Sequence, residues 1–187
     1  MTGYQQAILI ALGSQLGNRY AVRSIDKYYP DAVQPLFGTT VYSITPKGRD
    51  KPQWTVKSSA VSRPSLDEVD DWQGFCRGWI EIHSSLTPIT QYRRRNGVRT
   101  KTHVPGLLIY GPYDVVETLM FHLPVVPKQI RYLTNTVGGG AYTGTTCELR
   151  LQKRETSDVL DYIDGLPRNE VVWKRWTDKI DQINHMD

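Results

Sequence analysis

The first strong pattern is an unbroken apolar run, Ala7-Ile-Leu-Ile-Ala-Leu, continuing through Gly13-Ser-Gln-Leu-Gly17, too dense for a surface helix. It predicts a buried helix, although a central strand fits the same density. Residues 24–36 predict a short helical region broken by Pro30, and residues 39–44 and 54–58 predict two strands around the polar segment Pro46-Lys-Gly-Arg-Asp-Lys-Pro52. Ser65, with Glu68 three residues later, has the form of a helix cap, and Trp72, Phe75, Trp79 and Ile80 carry the apolar pattern to about His83 as a second buried helix.

Residues 89–95 and 98–103 alternate and are joined by Asn96-Gly97, a pair that accepts the positive φ of a tight hairpin turn. Two-residue closure sets Arg95 against Val98, Arg94 against Arg99, Tyr92 against Lys101 and Thr90 against His103. Tyr92, Arg94, Arg99 and Lys101 therefore share one side of the ribbon. Residues 107–110 extend the sheet, 114–121 predict a helix, and strands at 130–134 and 145–151 bracket Gly138-Gly-Gly140, which lacks the Lys-Ser/Thr ending of a phosphate loop. Helices at about 157–163 and 173–183 follow. The order reads as a short and a long version of one unit, divided as 1–72 and 73–187.

Composition narrows the class. The 187 residues are 39% hydrophobic and 22% charged, ordinary globular usage. No stretch approaches a membrane span, and the start lacks the basic flank and apolar run of a signal peptide, which points to an intracellular protein of cytoplasm or nucleoid. Cys76 and Cys147 stand far apart without histidines at metal spacing, so buried thiols are expected and neither a disulfide framework nor a zinc module. His103 and His122 have no partners at ligand spacing. Trp72, Trp79, Trp173 and Trp176 sit at helical spacing and read as core.

The net charge of +4 is concentrated in the middle. Between Ile82 and Tyr113 there is no acidic residue, while Arg93, Arg94, Arg95, Arg99 and Lys101 fall within nine positions. Like charges facing each other across a ribbon destabilise it unless a polyanion relieves them, and a two-stranded ribbon fits a DNA major groove. A solvated hairpin tip accounts for the same charge.

Both buried helices carry glycines four apart, Gly13 and Gly17 in the first, Gly74 and Gly78 in the second. That spacing lines one helix face and lets two backbones approach, which predicts that the helices pack on each other.

With these residues in place the sequence resembles the LAGLIDADG homing endonucleases. Leu9-Ile-Ala-Leu-Gly13-Ser-Gln-Leu-Gly17-Asn18 resembles the first motif helix and Phe75-Cys-Arg-Gly78-Trp-Ile-Glu81-Ile-His83 the second. The resemblance implies an α+β fold of two αββαββα units, here with the first shortened. In that family the motif helices pack along a pseudo-twofold axis and the two sheets form a saddle on DNA. It implies a monomer that binds double-stranded DNA through Tyr92, Arg93, Arg94, Arg95, Arg99, Lys101 and Arg131. The matching hairpin of the first unit would add Tyr42, Lys47, Arg49, Lys51 and Lys57.

In the family the last acid of each motif helix holds a divalent metal, which hydrolysis of a phosphodiester needs. Those positions fall on Asn18 and His83, and neither is a carboxylate. The expectation is DNA binding with cleavage lost and with no metal or cofactor. Glu81 occupies the family's earlier acidic position, so a Mg²⁺-dependent endonuclease using Glu81 stays open, with Lys174 or Arg175 as the basic helper. An RNA-binding splicing cofactor and a protein-interaction module are the other readings.

Overall fold

A computed structural model describes residues 1–95, 97–133, 146–165 and 168–186. Asn96 and Gly138–Gly140, both singled out above, lie outside the described residues. The chain divides into two compact units, Met1–Ile82 and His83–Asp187. The division falls after the second buried helix, ten residues beyond the expected 72/73 boundary, because that helix packs against the first. The sequence division followed the repeat, whereas packing follows the helix pair.

In the first unit Thr2 starts α1 (Gly3–Leu12) with a reciprocal cap, its Oγ1 accepting from the Gln5 amide at 3.3 Å while the Gln5 side chain accepts from the Thr2 amide. The helix is five residues shorter at its C-terminal end than expected. At Gly13 the backbone turns extended, and a Cβ there would stand 2.2 Å from both the Leu9 carbonyl oxygen and the Tyr20 hydroxyl. The chain continues as β1 (Gly13–Leu16), turns at Gly17-Asn18 with Gly17 at φ 61°, and returns as β2 (Arg19–Ser24). Gly13 and Gly17 are therefore not a helix-packing pair, and the expectation of one is corrected: the first ends α1 and the second makes a hairpin turn.

α2 (Tyr28–Phe37) keeps Pro30 in its first turn, where a missing amide proton costs little, and ends on Gly38 in the left-handed region. β3 (Tyr42–Ile44) and β4 (Gln53–Ser58) form the expected hairpin and complete an antiparallel sheet in the order β1-β2-β4-β3. Tyr4, Ile8 and Leu9 of α1 pack with Val22, Val33 and Val56 as the core of this unit. The capping box at Ser65 forms, but on a single 3-10 turn, Leu66–Glu68. α3 (Trp72–Ile82) begins afresh.

Gly78 of α3 meets α1 closely: a Cβ there would stand 2.9 Å from Ala7 Cβ and 2.9 Å from the Tyr4 carbonyl oxygen. Gly3 is tighter still, since a Cβ there would collide with the Asp71 carbonyl oxygen. The small residues that admit the second helix are thus Gly3 and Ala7, four apart on α1, facing α3. Gly74, the other glycine of the expected pair, faces the Asp71 side chain instead.

The second unit begins with β5 (Ser84–Arg95) and β6 (Val98–Gly111), then α4 (Tyr113–His122), β7 (Arg131–Leu133), β8 (Thr146–Gln152), α5 (Arg154–Tyr162) and α6 (Glu170–Asn184). Its sheet order is β5-β6-β8-β7. β8 pairs with β6 only from Gly106 onward, so Pro105 sits where no second ladder needs its missing proton. Leu107, Ile109, Cys147, Leu149 and Leu151 are fully buried on one face. The compression expected of the first unit lies in strand length and in its final helices: its sheet also has four strands, but β1 and β2 are 4 and 6 residues long against 12 and 14 for β5 and β6.

Candidate nucleic-acid interface

The β5–β6 hairpin pairs in the expected register, Arg95↔Val98, Arg94↔Arg99, Tyr92↔Lys101 and Thr90↔His103, with Gly97 at φ 80°. Beyond the reach of β8, eight residue pairs extend as a two-stranded ribbon of about 23 Å. The Arg99 guanidinium lies 4.0 Å from the Tyr92 ring centroid, and Tyr92 is 58% exposed. Tyr92, Arg94, Gly97 and Arg99 border a shallow hollow of about 480 Å³. A flat ring backed by a guanidinium, with a second guanidinium directly across the strand pair, offers stacking, cation and fork-shaped donors on one small surface. Arg93 and Arg95 hold the β5 positions across from Thr100 and Val98.

Pairing is unbroken from Ser84↔Ile109 to Arg95↔Val98. The face that carries Tyr92, Arg94, Arg99 and Lys101 at the tip is therefore the face that carries Leu107 and Ile109 at the base, under the helices. The opposite face is polar: Ser85, Thr87, Gln91, Thr100 and Thr102 on the long strands, Glu148 and Arg150 on β8, and Arg131 on β7 opposite Glu148. Arg150 Nη2 pairs with Glu148 Oε1 at 3.2 Å. Of the positions on this face, Arg93, Arg95 and Arg131 were singled out from sequence. Alternation carried on from Lys101 to Leu107 and Ile109 would have identified which face the core claims.

In the first unit Tyr42 and Lys57 come together on the outer face, with Lys57 Nζ 5.4 Å from the Tyr42 centroid. Register puts Arg19 and Arg23 of β2 on that face too, two basic residues that a helical reading of residues 7–17 had no reason to place there. Lys47, Arg49 and Lys51 are exposed on the connection between β3 and β4.

Asn18 is exposed at the β1–β2 turn, six residues past the end of α1, so its assignment to the motif position is corrected. Counting five residues from the close approach of Ala7 and Gly78 gives Leu12 and His83 at the two helix ends. Leu12 has no ligand atom, and His83 is half-buried with its carbonyl accepting from the Tyr110 amide at 2.8 Å. Glu81 is fully buried, its Oε1 2.7 Å from Arg77 Nε and its Oε2 accepting from the Tyr4 hydroxyl at 2.6 Å. Among the described residues no three of His, Cys, Asp and Glu gather as a metal site. Leu12 offers Mg²⁺ no ligand, His83 offers nitrogen, and the Glu81 carboxylate is already committed to Arg77 and Tyr4, whereas Mg²⁺ prefers open oxygen ligands.

Lys174 is exposed on α6. Arg175 and Lys179, one turn apart, line a cleft of about 450 Å³ with Ser84, Ser85 and Asp178. The Ser84 Oγ is buried without a hydrogen-bond partner among the described residues. Of the two basic candidates, Arg175 is thus the one beside the strand that follows His83. The expected core tryptophans Trp79 and Trp176 are buried and Trp72 and Trp173 half-buried, and both cysteines are buried. No helix among the described residues is long and apolar enough to cross a membrane.

The order αββαββ occurring twice along the chain, each time with a four-stranded antiparallel sheet, matches the fold of the LAGLIDADG homing endonucleases. The solved structures similar to this chain include I-LtrWI bound to target DNA, at 10% identity over 98% of this chain and 89% of that one, with a TM-score of 0.63. I-GzeII in complex with its DNA target is 8% identical over 99% and 92%, with a TM-score of 0.62. I-AabMI bound to uncleaved DNA is 8% identical over 100% and 91%, with a TM-score of 0.61. No family model matches the chain, and no curated protein matches it.

Proposed function

We propose that this chain is a double-stranded DNA-binding protein of LAGLIDADG fold that does not cleave its target. The observation that carries the binding is the ribbon: Arg94 opposite Arg99, Arg99 stacked on Tyr92, and Lys101 on the same exposed face. Such a face is unfavourable alone and favourable against phosphates, whose contacts position the protein while guanidinium forks read base edges. That the similar solved structures include endonucleases held on DNA supports the same partner. Loss of cleavage rests on Leu12 and His83 at the helix ends and on Glu81 being held by Arg77 and Tyr4.

The test is electrophoretic binding and cleavage on a randomised duplex library at two salt concentrations, with Mg²⁺, with Mn²⁺ and with chelator. Selective, salt-dependent binding without cutting is expected under all three conditions. Metal-dependent cutting would overturn the non-cleaving reading, and failure to bind any duplex would overturn the DNA reading.

A further inference from the structure

A cleft of about 330 Å³ opens between α5 and α6 in the second unit, away from the ribbon tip. Its floor is apolar, with Pro105 of β6, Leu160 of α5 and Ile180 of α6. Two indoles form one wall: the Trp173 and Trp176 ring centroids are 5.9 Å apart and tilted by 59°. Asp161 and Asp164 stand on the rim, and among the described residues Lys153 is the one cationic side chain that lines it.

This chain already holds one organic cation at the edge of the wall. The Arg168 guanidinium lies 4.7 Å from the Trp173 centroid, with Nη1 3.0 Å from Asp164 and Nε 2.8 Å from Glu170. An indole face with a carboxylate beside it is thus a working cation site here, and Asp161 is a second carboxylate lining the same cleft. Trp173 is half-buried and Trp176 buried, so the indole surface that attracts a cation is mostly that of Trp173, and an apolar floor favours the alkyl body of a ligand over its water. The volume lies within the range of small-ligand sites.

We propose that the α5–α6 cleft binds a small organic cation, an alkylated ammonium on an apolar frame, held by the indoles of Trp173 and Trp176 and balanced by Asp161. The site lies outside the DNA-facing residues and does not depend on the DNA-binding reading.

Choline and its neutral carbon isostere 3,3-dimethyl-1-butanol are the probes, titrated into the full chain and followed by the indole N–H resonances. Saturable shifts confined to Trp173 and Trp176, assigned with Trp173→Phe and Trp176→Phe, are expected with choline, at an affinity about tenfold above the neutral isostere. Asp161→Asn, a change at an exposed side chain, should weaken choline about three- to tenfold without altering the thermal midpoint. Equal binding of the two probes, shifts spread over all the tryptophans, or no saturation with choline would each overturn the proposal.

Discussion

The Tyr4 hydroxyl donates to Glu81 Oε2 at 2.6 Å, joining α1 to α3 through a carboxylate that also pairs with Arg77. In sequence, Glu81 stands two residues from the helix end, and an acidic residue there invites a catalytic role. The structure gives it another. Both its oxygens meet donors inside the helix pair, and its side chain has no exposed surface.

Breaking this network should therefore affect stability first. Glu81→Gln keeps the shape but leaves the Arg77 charge buried, a change that costs about 3–5 kcal/mol when a buried pair loses one member. Tyr4→Phe removes one donor and should cost about 1–3 kcal/mol. Urea unfolding measures both. A stability loss near zero for Glu81→Gln would show that the carboxylate does not hold the helix pair together.

The same helix pair should make the protein sensitive to alkali. Burial, and then the nearby Glu81 charge, push the Tyr4 hydroxyl above its ordinary value of 10.0, and burial pushes the Cys76 thiol from 9.0 up to about 12. Each group is an acid that holds its proton more tightly folded than unfolded. Its contribution is complete below the unfolded value and declines as pH rises past it, by about 1.4 kcal/mol per pH unit per group. Urea midpoints should fall from about pH 9 and more steeply above about pH 10. Cys76→Ala combined with Tyr4→Phe should flatten that slope, even if the double variant starts less stable.

Two glycines of the expected pairs should respond in opposite ways to substitution. A Cβ at Gly78 meets Ala7 and the Tyr4 backbone at 2.9 Å, so Gly78→Ala must move the helices apart and should cost about 1–3 kcal/mol. Among the described residues nothing lies within 4 Å of a Cβ at Gly17, and its φ of 61° is what resists a side chain. Gly17→Asn should cost a few tenths of a kcal/mol, since asparagine tolerates the left-handed region. Equal losses in thermal melts would restore Gly17 to a helix interface.

These contrasts show where the sequence could be read and where it could not. The β5–β6 register was legible to the residue, because a two-residue turn leaves one register and alternation does the rest. The end of α1 was not. An apolar run buried on all sides has no period to distinguish helix from strand, so the change at Gly13 left no mark in hydrophobicity. The clue was local: Gly17-Asn18 is itself a two-residue hairpin pair, and taking it as a turn would have ended the helix before Gly13 and moved the motif position from Asn18 to Leu12. The polar face of the second sheet was missed for a different reason. Which face helices cover depends on contacts between elements, and alternation gives that only when followed from ribbon tip to buried base.

The ribbon gives the most direct test of what the basic side chains do. Arg94→Ala with Arg99→Ala removes the facing guanidinium pair and relieves like-charge repulsion, so the free protein should be no less stable. Duplex affinity should fall nonetheless, and the slope of log affinity against log salt should become shallower by about 0.9 for each phosphate left unneutralised. Replacing Arg150, paired with Glu148 on the opposite face, would leave Glu148 without that partner, so its variant should lose stability while duplex affinity changes less than in the ribbon variant. If the ribbon variant binds duplex more weakly with an unchanged salt slope, Arg94 and Arg99 read bases and the phosphates are held elsewhere. If neither affinity nor slope moves, the ribbon is a solvated tip.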